Sequence, residues 1–358
     1  MKKTYRAAAI GSTGRGNYGH GLDTVFRDLP GVEFVAIADD NPAGLCEAGK
    51  RNGIHRLYTS YRVMLADEEL DLVSVAMRHS DLHEEIVVAC AEAGKHVYCE
   101  KPFAPDVASA DRMLSACRAN GVKIALATQN RASLAVRQAL EMVQSGRIGT
   151  LLSMRGRGKE DKRGGGEDLM VLGYHILDLM VLFAGRPEWV FADVRQDGRE
   201  MAKSDARQAT EPIGPIAGDW LAAMYGFPGG VHGYFESHRG LEGSNDRFSL
   251  ELHGSDGIIV MRSLRDVVWL DQPVFNPAKA ANWQPISPPE WVALASQSHW
   301  CNQQLVLDLL RAAEEGREPI TSGENSLAVL EMIQGVYGSH LAQGRLAIPL
   351  QDREHPLA

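Results

Sequence analysis

Tyr5-Arg6-Ala7-Ala8-Ala9-Ile10-Gly11-Ser12-Thr13-Gly14-Arg15-Gly16 decides the fold, because an apolar run over residues 5–10 is broken at once by three glycines. The residues that follow read as a helix to about Leu29, where Pro30-Gly31 ends it. Strand, glycine turn and helix then recur. Phe34-Val35-Ala36-Ile37-Ala38 reads as a second buried strand ending at Asp39-Asp40, and Leu72–Ala76 and His96–Cys99 repeat the pattern with helices between them. Such alternation implies an α/β domain built on a parallel, doubly wound sheet. Val122–Ala127 reads as its last strand, which sets a boundary at residue 128.

Beyond that point the pattern changes. Leu221–Phe227, Gly233–Ser237, Arg247–His253 and Ile258–Met261 carry strand signals separated by glycines and polar turns. Residues 129–358 therefore read as an α+β domain with a large, mostly antiparallel sheet. Asp271 to Pro289, rich in proline and asparagine, reads as a long surface excursion.

Composition narrows the function. The chain has 358 residues, 44% hydrophobic and 23% charged, enough for two globular domains. Its formal charge of -9, without a basic patch, argues against nucleic acid or anionic membrane as a partner. No apolar run is long enough to span a bilayer or to serve as a signal-peptide core, so a cytoplasmic location is expected. Five cysteines without a C-x-x-C pair argue against a disulfide frame or a zinc site, and no metal is expected.

Glycines at the end of a first strand let backbone amides approach a pyrophosphate, and a helix behind them directs its positive end at the same anion. Here the spacing is G-x-x-G-x-G, and Thr13 stands where the usual fingerprint has its second glycine. A plain tight turn is the alternative. Asp39, 28 residues after Gly11, ends the second strand, where a carboxylate binds the ribose hydroxyls of an adenosine. Asp40 adds charge that would repel the extra phosphate of NADP, so NAD is the expected cofactor. Arg15 stands against this, since an arginine in the loop can reach a phosphate.

At Glu100-Lys101-Pro102, Ser145-Gly146-Arg147-Ile148-Gly149, Gly173-Tyr174-His175-Ile176-Leu177-Asp178 and Leu330–Leu350 the chain resembles the Gfo/Idh/MocA oxidoreductases. These join a Rossmann-type dinucleotide-binding domain to a sheet domain and mostly oxidise sugars, cyclitols or glycosides. The resemblance implies that Lys101 is the catalytic lysine, with Glu100 and Pro102 shaping its turn and the Lys-Pro bond often cis. Together with the glycine-loop reading, this makes Gly11, Thr13, Gly14, Arg15, Gly16, Asp39, Ala76, Arg78, His83, Glu100 and Pro102 the residues expected to hold the cofactor. An exposed lysine has a pKa of about 10.4, so proton transfer by Lys101 calls for burial or neighbouring cations.

Residues 167–184 read as one helix, with Glu167 and Asp168 at its positive end and Gly185-Arg186-Pro187 stopping it. His175 and Asp178 share a face, so Asp178 can orient the imidazole. Gly173 in mid-helix suggests close approach of a nicotinamide or substrate. Two departures from the family pattern stand out. Val171 occupies the place of the usual aspartate four residues before His175, and Asp168, two turns back, is a possible substitute. Arg78 takes the place of a proline in the loop leading to His83, where it can hold a carboxylate, sulfonate or pyrophosphate or simply be solvated. The charged run Arg155–Arg163 reads as a solvated loop or as a cleft wall. With the latter, Arg157, Lys159 and Arg163, together with Asp168 and Tyr174, are candidates to bind substrate. Trp220, Trp283, Trp291 and Trp300 fit either core packing or stacking on a sugar.

Three functions follow. The first is NAD-dependent oxidation of a small polyhydroxylated substrate by a homodimer or homotetramer, with Lys101 and His175 in proton transfer. The second is a redox-neutral glycoside hydrolase or lyase that oxidises transiently and eliminates. The third is a non-catalytic nucleotide sensor.

Overall fold

The computed structural model describes residues 3–241, 247–263, 266–276, 278, 282–286 and 298–358. Two compact units divide the chain: Met1–Gln129 with Thr210–Gly214 and Ser298–Leu327, and Asn130–Ala209 with Pro215–Gln297 and Ala328–Ala358.

In the first unit, β1 (Tyr5–Gly11), β2 (Val32–Asp39), β3 (Arg56–Tyr58), β4 (Leu72–Val75), β5 (His96–Cys99) and β6 (Ile124–Leu126) form a parallel sheet. Its order is β3-β2-β1-β4-β5-β6. Ala7, Ala8, Ala9 and Ile10 are all buried, as expected of a strand covered on both faces. Helices α1 (Pro42–Asn52), α2 (Tyr61–Asp67), α3 (His83–Glu92) and α4 (Val107–Ala119) run between the strands. Helix α1 begins where Asn41 accepts from the N–H groups of Ala43 and Gly44, with Pro42 at its first position, and stops at Gly53 in the left-handed region.

The helix expected after the glycine loop is not there. Asn17, Gly19, Gly21 and Asp28 have φ of 52°, 55°, 79° and 54°, which no α-helix admits, and residues 12–29 form consecutive turns instead. Glycines at 16, 19 and 21 were the signal for this.

The second unit holds α5 (Leu134–Gln144), β7 (Leu151–Arg157), α6 (Gly166–Val171), α7 (Gly173–Ala184) and β8 (Trp189–Gln196). The short strands β9 (Arg199–Glu200), β10 (Arg207–Gln208) and β11 (Pro215–Ile216) follow. Next come β12 (Trp220–Gly226), β13 (His232–His238), β14 (Ser249–Gly254), β15 (Ile258–Arg262), β16 (Asp266–Leu270) and β17 (Gln284–Pro285). Among the described residues ten strands, with β18 (Leu346–Ala347) at one edge, make one sheet that is antiparallel except where β7 and β13 run parallel. Helix 167–184 is two helices, broken at Leu172 with φ −107° and ψ −41°.

The break at residue 128 leaves out a return of the chain. Helix α8 (Ser298–Glu315) belongs to the first unit, where Tyr98 donates to Asn302 at 2.8 Å and Gln303 reaches the carbonyl of Arg27 at 2.8 Å. Thr321 and Ser322 pair with β6, Leu126 N–H donating to the Thr321 carbonyl at 2.8 Å. The long helix α9 (Gly323–Leu341) follows. No local pattern marks this return, because an apolar helix face is equally suited to either core. Of the expected surface excursion, residues 277, 279–281 and 287–289 lie outside the described residues, as does Trp291.

Candidate active site

The glycine loop, the end of β2 and the loop after β4 line one cleft in the first unit. Ile10, Ala38, Met77, Leu82 and Ile86 give it apolar walls, and Ser12, Arg15, Asp39, Asp40 and Tyr61 give it polar ones. Gly14, at φ +91°, has nothing within 4 Å of where a Cβ would stand. Gly16, at φ +82°, is pressed against the backbone nitrogens of Arg78 and His79, so any side chain there would force the two loops apart. The residues present fit a dinucleotide: open backbone at the glycines, an apolar slot, and acid at the strand end.

The two aspartates differ in exposure and in partners. Asp39 is buried and turned into the loop, accepting from Thr13 N–H at 3.0 Å, Thr13 Oγ1 at 2.6 Å and Asn41 N–H at 2.9 Å. Thr13 itself packs on Gly44 of α1. Asp40 is exposed, accepts from Ser12 Oγ at 3.0 Å, and is the more available acid in the cleft. Arg15 pairs with Asp81 at 3.0 Å.

His83 does not present an atom to the cleft. It is fully buried, with Nδ1 3.0 Å from the Phe103 carbonyl and Nε2 2.8 Å from the Met77 carbonyl, so it braces the loops after β4 and β5. Arg78 is half-exposed and faces Glu211 at 3.6 Å. Ala76, at the end of β4, is buried, and its carbonyl lies against Gly19.

Lys101 follows β5, at the edge of a parallel sheet where ligands collect. It is 5% exposed, and its bond to the buried Pro102 is cis. Glu100 is fully buried. Its Oε1 accepts from Lys101 N–H at 3.0 Å, and its Oε2 lies 3.1 Å from both the backbone N and the Nδ1 of His20. Burial works to raise the Glu100 pKa, but the hydrogen bond and charge of His20 and the charge of Lys101 outweigh it and hold the carboxyl below its ordinary value. His20 escaped the sequence reading because it sits in the segment taken for a helix.

In the second unit His175 is 8% exposed on α7, and Tyr174 beside it is fully buried, which removes the tyrosine as a substrate contact. Asp178 is held by a residue the sequence did not single out: Arg131 Nε donates to its Oδ2 and Arg131 Nη2 to its carbonyl, both at 2.8 Å. Gly173 is explained by packing, since a Cβ there would stand 2.7 Å from the Phe235 ring.

Asp168 is fully buried, so it does not reach a substrate. Its Oδ2 accepts from Ser237 Oγ at 2.6 Å and Glu160 N–H at 3.0 Å, and burial outweighs these bonds to raise its pKa. The break at Leu172 also spoils the two-turn alignment with His175.

Three cations of the Arg155–Arg163 run, whose first residues to Arg157 belong to β7, are ion-paired. Arg163 and Lys159 share Asp161 at 2.7 and 3.8 Å, and the Arg163 hydrogen bond takes the Asp161 pKa down to about 2. Arg157 pairs with Glu236 and lies 3.8 Å from Glu160. Trp283 packs against Ile258, Val260 and Leu270. Trp220 and Trp300 are half-buried. Among the described residues no group of His, Cys, Asp and Glu is arranged to hold a metal, and no helix is long and apolar enough to cross a membrane.

Residues 5–128 match the oxidoreductase family with an NAD-binding Rossmann fold, and residues 136–260 match the C-terminal domain of the same family. Levoglucosan dehydrogenase of Pseudarthrobacter phenanthrenivorans is 29% identical over 63% of this chain and 63% of its own length. D-apiose dehydrogenase of Paraburkholderia graminis is 26% identical over 94% of this chain and 87% of its own. A solved levoglucosan dehydrogenase, in complex with NADH and levoglucosan, superposes with a TM-score of 0.79 at 22% identity, covering 96% of this chain and 99% of that one. With both family domains present in order and spanning more than half of its residues, the chain belongs to the Gfo/Idh/MocA oxidoreductases.

Proposed function

We propose that the protein oxidises a small polyhydroxylated compound, a sugar, cyclitol or glycoside, with NAD, Lys101 taking the hydroxyl proton and His175 assisting. The observation that carries the reading is Lys101 itself: a lysine 5% exposed, set at the carboxyl edge of the parallel sheet, in the unit that also carries the glycine cleft. Relatives named for levoglucosan, apiose and myo-inositol support the substrate class. Gly14, Gly16 and the Ser12 turn would hold the pyrophosphate and Asp40, with Asp39 behind it, the adenosine ribose. When bound, NAD supplies the acceptor for the electrons that leave the C–H bond. Lys101 removes the proton from the oxygen on the same carbon, so its amine has to be neutral when substrate arrives.

The test is absorbance at 340 nm while the protein and NAD are incubated with a panel of sugars, cyclitols and glycosides. Net NADH with at least one of them is expected. Release of an aglycone without any net change would indicate the transient-oxidation hydrolase or lyase instead. NAD binding with no turnover would indicate a sensor.

The open face of the large sheet supports a homo-oligomer. Phe191 and Tyr234 are 48% and 41% exposed there, beside Met224 and Ala222, an apolar patch of the kind that meets another subunit. Sedimentation of a Phe191→Glu variant as a smaller species than the parent is expected.

A further inference from the structure

A loop that holds a pyrophosphate ordinarily draws on two sources of positive charge: the free N–H groups of its glycine turn and the N-terminal end of the helix behind it. This chain has spent most of the first and lacks the second. Ser12 N–H donates to the Asn17 carbonyl at 3.2 Å, and the N–H groups of Arg15 and Asn17 both donate to the Ser12 carbonyl at 3.0 Å. Thr13 N–H donates to Asp39 at 3.0 Å and Gly14 N–H to Asn17 Oδ1 at 2.9 Å. The turn is thus closed on itself and on the end of β2. Behind it residues 12–29 run as turns, so no helix macrodipole points at the loop.

The cleft is also acidic. Asp39, Asp40 and Glu85 line it, and Arg15 is the one cation among its described lining residues. The Arg15 guanidinium is 51% exposed and pairs at 3.0 Å with Asp81, whose carboxylate is 38% exposed. Asp81 belongs to the short turn Ser80–Leu82 that leads into α3. A pair so open to water is weak, whereas a planar guanidinium can meet a phosphate with two parallel hydrogen bonds. Exchanging the carboxylate for a phosphate therefore costs Arg15 little. Gly14, with nothing within 4 Å of where its Cβ would stand, leaves room for the phosphates beside it.

We infer that Arg15 supplies the positive charge for the pyrophosphate in place of loop amides and helix, and that Asp81 competes with the pyrophosphate for it. The inference rests on NAD as the cofactor of this cleft and is independent of Lys101 and of any substrate. Asp81 acts against binding: the pair opens when the dinucleotide arrives and closes again when it leaves.

Equilibrium binding to the full chain, without substrate, is the test. Kd for NADH is read by fluorescence, and Kd for ADP and for adenosine by calorimetry. Arg15→Met is expected to raise Kd for NADH and ADP by about 10- to 100-fold, the span of a lost charged hydrogen bond, and to leave adenosine unaffected. Arg15→Lys keeps the charge without the fork and should fall between. Asp81→Asn should do the reverse, tightening NADH by about 5-fold, and that gain should vanish when Arg15→Met is added. Tighter binding is not something a misfolded variant can mimic. A parent-like Kd for NADH in Arg15→Met, no tightening in Asp81→Asn, or a gain that survives in the double variant overturns the inference. So does a loss confined to NADPH, which would put Arg15 on the adenosine 2′-phosphate instead. If the parent binds no NADH at all, the cofactor reading falls and the inference with it; if it binds NADH and neither substitution moves Kd, the inference alone falls.

Discussion

Each unit buries a carboxylate against a nitrogen base, and the two pairs are built for different ends. Glu100 holds an imidazole that is 44% exposed, whereas Asp178 holds a guanidinium that is 3% exposed. In the first pair one partner can exchange protons with solvent or a ligand. In the second, both charges are out of water, and the arginine also bonds the Asp178 carbonyl, which ties helix α7 to the Gln129–Ala132 turn. A buried acid beside a cation is therefore no sign of chemistry by itself. What matters is whether the partner is open to solvent and able to titrate.

The sharpest way to break this contrast is at the lysine next to Glu100. Lys101→Met should lower kcat by about 10³-fold, within the span of lost acid–base catalysis, and leave NADH binding in place. Unchanged turnover would make the first pair as structural as the second. Arg131→Met tests the opposite side. It leaves Asp178 buried without its guanidinium, so urea unfolding should show a loss of about 3–5 kcal/mol. A variant as stable as the parent would mean that the second pair is not what holds α7.

Asp168 sharpens the comparison further. Asp168→Ala strands the Ser237 hydroxyl and the Glu160 N–H and should lose about 1–3 kcal/mol. Asp168→Asn keeps an acceptor where Oδ2 stands, so its stability should shift less and the pH dependence of turnover should not move. A displaced pH profile would return Asp168 to the relay.

The smallest effect concerns acid. Glu100 has a folded pKa below its unfolded value, so the stability it contributes is complete above the unfolded value of about 4.3 and is lost as pH falls through the folded one. Glu100→Gln should flatten that part of the acid-unfolding curve, and an unchanged slope would show that His20 and Lys101 do not favour the charged form.

The first sheet and strands β12 to β15 of the second were readable from alternation and apolar runs, whereas β7 was missed because its end at Arg155–Arg157 is charged and reads as a loop. Lys101 was readable too, standing between a strand and a proline. The absent helix was misread because the apolar residues Leu22, Val25, Phe26 and Leu29 have helical spacing, yet three glycines admit the positive φ angles that replace the helix with turns. Arg131, Phe235 and His20 act through partners 47, 62 and 80 residues away in sequence, namely Asp178, Gly173 and Glu100. No local pattern contains that information. His83 and Tyr174 were misplaced because a motif gives position and not the direction of a side chain.

The backbone pairing of Thr321 and Ser322 with β6 bears on how the protein can be made. A nascent chain emerging from the ribosome presents its first sheet with a bare outer strand until residues 321 and 322 have been made, and bare strands recruit other chains. Products of premature termination before residue 321 should for that reason collect in inclusion bodies, and fusions meant to borrow the cofactor-binding half should carry the distant segment along.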